Sequence, residues 1–300
     1  MGDTKIEWAE RVWNPVRGCS PVSEGCRNCY AARFAHRFSG PGQPYEGLTR
    51  LTDSGPKWTG KVREVPEMLI EPLGTKKPST FFVNSMSDLF HDDVSEAFID
   101  RVIEVMMACP QHLFLVLTKR PHNLEQKLYG ITGRILIRAL GGGDYVPNLW
   151  LGVSVENQQA ADERIPQLFS VPAALYWVSM EPLLGKIDIE DWLMPTCRLC
   201  KGSMSIPVSG GGIPCNRCLD HQGIDPMRLG WVVCGGESGY GARPMDVAWV
   251  DSIRKQCQVA GVPFFFKHWG MFDEMGNKVG KKKSGRKLDG KTWDESPLIR

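Results

Sequence analysis

The sequence predicts an α/β fold, either a β/α barrel or an open doubly wound sheet, on two observations. Six short apolar runs each stop abruptly in polar or glycine residues, and helical stretches with one apolar face lie between several of them. Runs of this length without alternation suit strands buried on both faces, as in a parallel sheet. The chain has 300 residues, is 42% hydrophobic and 23% charged, and carries a net charge of +2, values ordinary for a globular protein with a sizeable core. That balance makes no case for nucleic acid by itself.

In chain order, the runs are Phe81–Val83 before Asn84–Asp88, Leu113–Leu117 before Thr118–Pro121, and Leu149–Val153 before Ser154–Asn157. Ala174–Val178 then precedes Ser179–Pro182, Trp231–Cys234 precedes Gly235–Ser238, and Pro263–Phe266 precedes Lys267–Trp269. Ser95–Met107 spaces Phe98, Ile99, Val102, Ile103, Val105 and Met106 as an amphipathic helix with Ser95 as its cap. Asp246–Ala260 reads the same way through Val247, Val250, Ile253 and Val259. In either architecture the polar residues after the strands converge on one face, where sites are built. Gly141–Asp144 reads as a loop, and no internal repeat is present.

Seven of the ten cysteines fall in two tight groups, which in a chain without a secretory leader favours metal over disulfides and a reduced, cytoplasmic setting. No apolar run is long enough for a membrane span, so no membrane partner is expected. Cys197, Cys200, Cys215 and Cys218 form CxxC-x14-CxxC, four thiolates that close a tetrahedral structural zinc (Zn2+) shell. The first group, Cys19, Cys26 and Cys29, is C-x6-C-x2-C. Three thiolates leave one iron of a [4Fe–4S] cluster open to another ligand. Among the six histidines no HExxH-like set supports zinc hydrolase chemistry. Arg11, Arg17, Arg27, Arg33 and Arg37 surround the first group, interleaved with Glu7, Glu10 and Glu24. The Lys278–Lys291 segment reads as a solvated basic tail, with phosphate contact as the sharper alternative.

Asn14-Pro15-x2-Gly18-Cys19 followed by Gly25-Cys26-x2-Cys29-Tyr30-Ala31 resembles radical SAM enzymes, especially the spore photoproduct lyase-like branch. More specifically, the chain is identified as a member of the phage Gp37/Gp68 (DUF5131) family. The hallmarks are Ile6-Glu7-Trp8, Trp13-Asn14-Pro15, Ser87-Asp88-Leu89-Phe90, Leu117-Thr118-Lys119-Arg120-Pro121, Leu151–Asn157, Ser179–Leu183 and Cys234–Ser238. The resemblance implies a partial (β/α) barrel of radical SAM type at 1–195 and 223–270. It leaves the CxxC/CxxC pair as a zinc-ribbon-like insertion at 196–222 and a basic tail at 271–300.

It also implies a [4Fe–4S] cluster on Cys19, Cys26 and Cys29, S-adenosyl-L-methionine on the open iron, and an electron donor. The family's usual first gap is three residues; here it is six, taken up by a longer loop. By position, Lys119 matches a strand-end lysine that pairs with the cofactor carboxylate, and Ser154 a polar residue near the same cofactor. Ser85, Ser87 and Asp88 fall in the second strand-end polar segment, and Tyr30 stands where the adenine is supported. Glu156, Glu181 and Glu237 are further strand-end candidates for cofactor binding. The implied activity is radical modification or repair of a macromolecule, a nucleic acid or a protein. The other reading is a non-catalytic, metal-stabilised adaptor for nucleic acid or a partner protein.

Overall fold

The computed structural model describes residues 4, 6–130, 145–194, 205–208, 211–214 and 227–297. Seven strands form one sheet: β1 Arg11–Trp13, β2 Thr80–Val83, β3 Leu113–Thr118, β4 Leu149–Ser154, β5 Leu175–Met180, β6 Leu229–Cys234 and β7 Phe264–Phe266. Each pairs in parallel with its neighbour, and the order across the sheet is the order along the chain. That order decides between the two predicted architectures. A doubly wound sheet reverses its strand order at a switch point. With no reversal, right-handed crossovers place every connection on one face, and the sheet curls around the other. The result is a partial (β/α) barrel whose edges are β1 and β7.

Alternation along the strands sorts the two faces. Phe114, Val116, Leu151, Val153, Tyr176, Val178 and Val232 point outward into the main core. They meet the apolar faces of α2 Glu96–Met107, α4 Gln158–Leu168 and α5 Val247–Ala260, while α1 Tyr30–His36 and α3 Leu124–Tyr129 are shorter. Ser95 caps α2 by accepting from Phe98 N–H at 3.2 Å, as the sequence predicts. Gly261, at φ +64°, ends α5 in the left-handed region.

Leu115, Trp177, Trp231, Val233 and Phe265 point inward, joined by Trp8 and Trp150. Indole centroids of Trp177 lie 5.3 Å from Trp8 and 5.6 Å from Trp231. Gly152 makes room for them, since a Cβ there would stand 2.5 Å from Trp177 Cε2 and Nε1.

Between β1 and β2 a small lobe sits on the barrel. Helix α1 packs on the antiparallel hairpin Thr49–Thr52/Gly55–Trp58 around Ala31, Ala32, Ala35, Tyr45, Leu48 and Trp58, with Cys19 and Cys29 against this core. A second hairpin, Ser205–Val208/Gly211–Pro214, lies between β5 and β6 where the insertion is predicted. Cys197, Cys200, Cys215 and Cys218 lie outside the described residues.

The basic segment after residue 270 does not hang free. Trp293 O and Glu295 Oε2 accept from Phe266 N–H and Phe264 N–H, both at 2.9 Å, and Leu288 is buried in the main core. The edge of β7 would otherwise present unpaired backbone groups, and this segment covers it.

Candidate functional site

The C-terminal ends of the strands open into one cavity. Of the predicted residues, Cys19, Cys26, Cys29, Tyr30, Ser85, Ser87, Asp88, Lys119, Ser154, Glu181 and Glu237 line it. Glu156 does not. It lies behind the cysteine loop, where its Cδ would be 3.0 Å from a Cβ on Gly25.

Three strand ends hold that loop. After β3, the buried Arg120 guanidinium donates to Ser20 O at 2.9 Å and Ser20 Oγ at 2.6 Å, and reaches Cys19 Sγ at 3.8 Å. Asp88 fixes this turn, accepting from Thr118 Oγ1, Lys119 N–H and Arg120 Nη1 at 2.8, 3.1 and 3.4 Å. After β4, Glu156 pairs with Arg164 at 2.9 Å. Burial works to raise its pKa, but Lys119, Arg164 and the Ser23 hydroxyl outweigh it and hold it below the usual carboxylate range.

After β6, Glu237 accepts from Asn28 Nδ2 at 3.0 Å and from Arg243 Nη2 at 2.7 Å, and Arg243 also donates to Glu24 O at 2.9 Å. Here too burial is outweighed, by the bonds from Arg243 and Asn28, and the pKa is lowered. Gly18 starts the loop at φ +88°, with Lys61 O only 2.3 Å from where a Cβ would stand.

The three thiols influence one another. Burial, then Asp88, pushes the Cys19 thiol up to about 12 against the Arg120 charge, and Cys29 and Cys26 add to the rise. Ligation must therefore displace a proton from Cys19. Among the described residues, no three His, Cys, Asp or Glu side chains stand together as ligands of a single ion. Soft sulfur donors gathered on one loop suit an iron–sulfur cluster. The donor set fits it.

Facing the cysteines, Ser154 and Ser179 are register partners on β4 and β5, and both line the cavity. Lys119 lines it too and makes no side-chain ion pair or hydrogen bond among the described residues. Glu181 grips Lys267 Nζ with both oxygens, at 3.1 and 3.0 Å. Burial pushes its pKa up, and Lys267, His268 and Lys281 together bring it below the usual range. His268 Nδ1 accepts from Gly270 N–H at 3.0 Å, which leaves the ring proton on Nε2, 3.6 Å from Glu181. Tyr30 donates to Ser85 O at 3.0 Å. Ser85 and Ser87 hydroxyls are spent on Asn14 Oδ1 and Val16 O. Among the described residues, Asn84 Nδ2 and Trp8 Nε1 are buried donors without a partner, on two residues that line the cavity.

A family model described as "Protein of unknown function (DUF5131)" matches residues 3–297. The chain belongs to the DUF5131 family. No curated protein matches it. Solved structures of spore photoproduct lyase are similar at low identity. A complex with dinucleoside spore photoproduct aligns at TM-score 0.42 and 13% identity, covering 85% of this chain and 62% of that one. A double mutant with bound AdoMet and dinucleoside spore photoproduct aligns at TM-score 0.39 and 14% identity, covering 60% and 48%. The DUF5131 chain thus spans about half to three fifths of those chains.

Several groups that this DUF5131 site uses are not among those the sequence singles out. Ser179 is legible from parity, two residues after the inward Trp177 and level with Ser154. Arg120 and Lys267 each adjoin a predicted strand end. Trp8 and Asn84 fall in a family hallmark and a strand-end segment, while Asn28 gives no local signal, because its role comes from a contact with Glu237 across the barrel mouth.

Proposed function

We propose that this DUF5131 protein is a radical SAM-type iron–sulfur enzyme acting on a macromolecule, with nucleic acid the favoured substrate. The observation that carries the reading is the opening of Cys19, Cys26 and Cys29 into the same cavity as the strand-end polar groups. An adaptor with structural metals has no use for that convergence. Held by Cys19, Cys26 and Cys29, a [4Fe–4S] cluster with S-adenosyl-L-methionine would supply radical chemistry, started by one electron from an external donor.

The chain's own contribution is binding, placement and exclusion of water. The three cysteines hold the cluster, and Arg120 donates toward Cys19 Sγ at the end of a buried, fully engaged guanidinium. Lys119, whose side chain makes no hydrogen bond or ion pair among the described residues, would take the cofactor carboxylate. Ser154 and Ser179 offer hydroxyls from the floor, and Tyr30 flanks the cavity. The indole layer gives the site an apolar floor. Separately, the Cys197 group is read as a zinc site on its spacing alone.

Anaerobic reconstitution with iron and sulfide, followed by dithionite and S-adenosyl-L-methionine, tests the reading. A brown protein that releases 5′-deoxyadenosine supports it; a colourless protein carrying only zinc overturns it. Cys26→Ala should abolish the cluster and leave the zinc content unchanged. Joint loss of both metals would refute two separate sites.

A further inference from the structure

We infer that the α1 lobe is a docking surface for single-stranded DNA, delivering a base into the cavity. The inference deepens the nucleic-acid reading above and rests on it for the choice of substrate, while its own evidence is charge and shape.

Between Arg27 and Arg63 the chain has seven Lys/Arg against two Asp/Glu, a net +5. The whole protein is only +2, so everything outside this stretch sums to −3. The near-neutral total conceals a strongly positive stretch, and the lobe it builds adjoins the cavity. Arg27, Arg37, Arg50 and Lys61 are exposed or half-buried on it.

The same lobe leaves aromatic rings in solvent. Tyr30, Phe34 and Phe38 recur every four residues along one face of α1 and its C-terminal extension, 54%, 49% and 40% exposed. The Phe34 and Phe38 rings are 5.4 Å apart. Tyr30 also lines the cavity, so the ridge begins inside the site and runs outward. Against α1, Tyr240 is 80% exposed, its carbonyl held by Arg33 at 2.6 Å and its ring 5.9 Å from that guanidinium.

Large rings left in water beside fixed cations form the stacking-plus-phosphate surface used for single strands. A duplex offers no free base faces to such a ridge. Stacking faces and phosphates are what this surface engages, and a DNA single strand presents both, whereas preference for RNA works through the 2′-hydroxyl.

The test is fluorescence anisotropy with a labelled oligothymidylate of about twelve nucleotides, on the scale of one such binding face. Phe34→Ala and Phe38→Ala should each weaken binding roughly fivefold or more, as removal of a base-stacking ring does, with Phe34→Tyr retaining affinity. Arg37→Glu should lower the slope of log K against log salt by about 0.7 for each phosphate it ceases to neutralise. Circular dichroism shows whether each variant is folded.

Equal affinity for duplex, wild-type binding by the ring variants, or oligouridylate bound more than tenfold tighter would overturn the inference. So would absence of oligonucleotide binding together with self-association in the ultracentrifuge, which assigns the ridge to protein contact. Binding needs no turnover, so the two readings fail separately. Ridge-dependent binding without cluster formation sinks only the iron–sulfur reading, and cluster chemistry with ridge-independent binding sinks only this one.

Discussion

Arg120→Met is the most informative single change outside the cysteines. The guanidinium is 1% exposed and pairs with Asp88, itself 5% exposed. Removing one member of a buried pair costs about 3–5 kcal/mol, because the survivor stays charged in a poor solvent. Asp88 keeps donors from Phe90 N–H, Thr118 Oγ1 and Lys119 N–H, which places the cost at the low end, about 3 kcal/mol. The Asp92 contact adds little, since that side chain is 62% exposed. A loss of about 3 kcal/mol is a large part of a typical 5–15 kcal/mol, and urea unfolding reads it directly. Adding Asp88→Asn should recover more than half of it, as removal of both charges relieves the stranded one. A single-variant cost under about 1 kcal/mol, or a double variant as unstable as the sum of the singles, would refute the buried-pair account.

Gly152→Ala drives a methyl into the Trp177 ring and should cost about 1–3 kcal/mol with altered tryptophan fluorescence; an unchanged urea midpoint would contradict the packing. Glu237→Gln weakens the tie to Asn28 and Arg243, so trypsin should cut after the exposed Arg27 about tenfold faster, corresponding to about 1.4 kcal/mol of easier opening. Cleavage at the wild-type rate would place the restraint elsewhere. The pKa values of His268 and His91 are lowered, by burial first, so the unfolded chain takes up their protons before the folded one does. Stability should therefore fall as pH drops through about 6.5, and His268→Gln should reduce that decline; a flat profile would reject the assignment. Glu156, Glu181 and Glu237, held low in the fold, contribute stability above about pH 4.3 that is lost below it.

The sheet was largely legible because burial on both faces writes itself as uninterrupted apolar runs. Phe81–Val83 and Leu113–Leu117 fall inside observed strands, and Ser95 caps the helix that follows the first of them. Strand β1 was not legible: three residues headed by an arginine carry no periodicity. At the site, strand-end position located the residues but not their partners. Glu156 and Glu237 read as cofactor contacts; Glu237 lines the cavity and Glu156 does not, and both carboxylates are engaged by Arg164, Asn28 and Arg243. Asn28 and Glu237 stand 209 positions apart, a separation over which local pattern carries no information. The basic C-terminal segment misled for a related reason: its lysines advertise solvent, while Leu288, Trp293 and Glu295 do the docking.

The indole layer of Trp8, Trp177 and Trp231 also sets the traffic rules of the molecule. Among the described residues, that layer closes the base of the cavity, so a molecule bound there would pass the rim that carries the cysteine loop and Tyr30 both on its way in and on its way out.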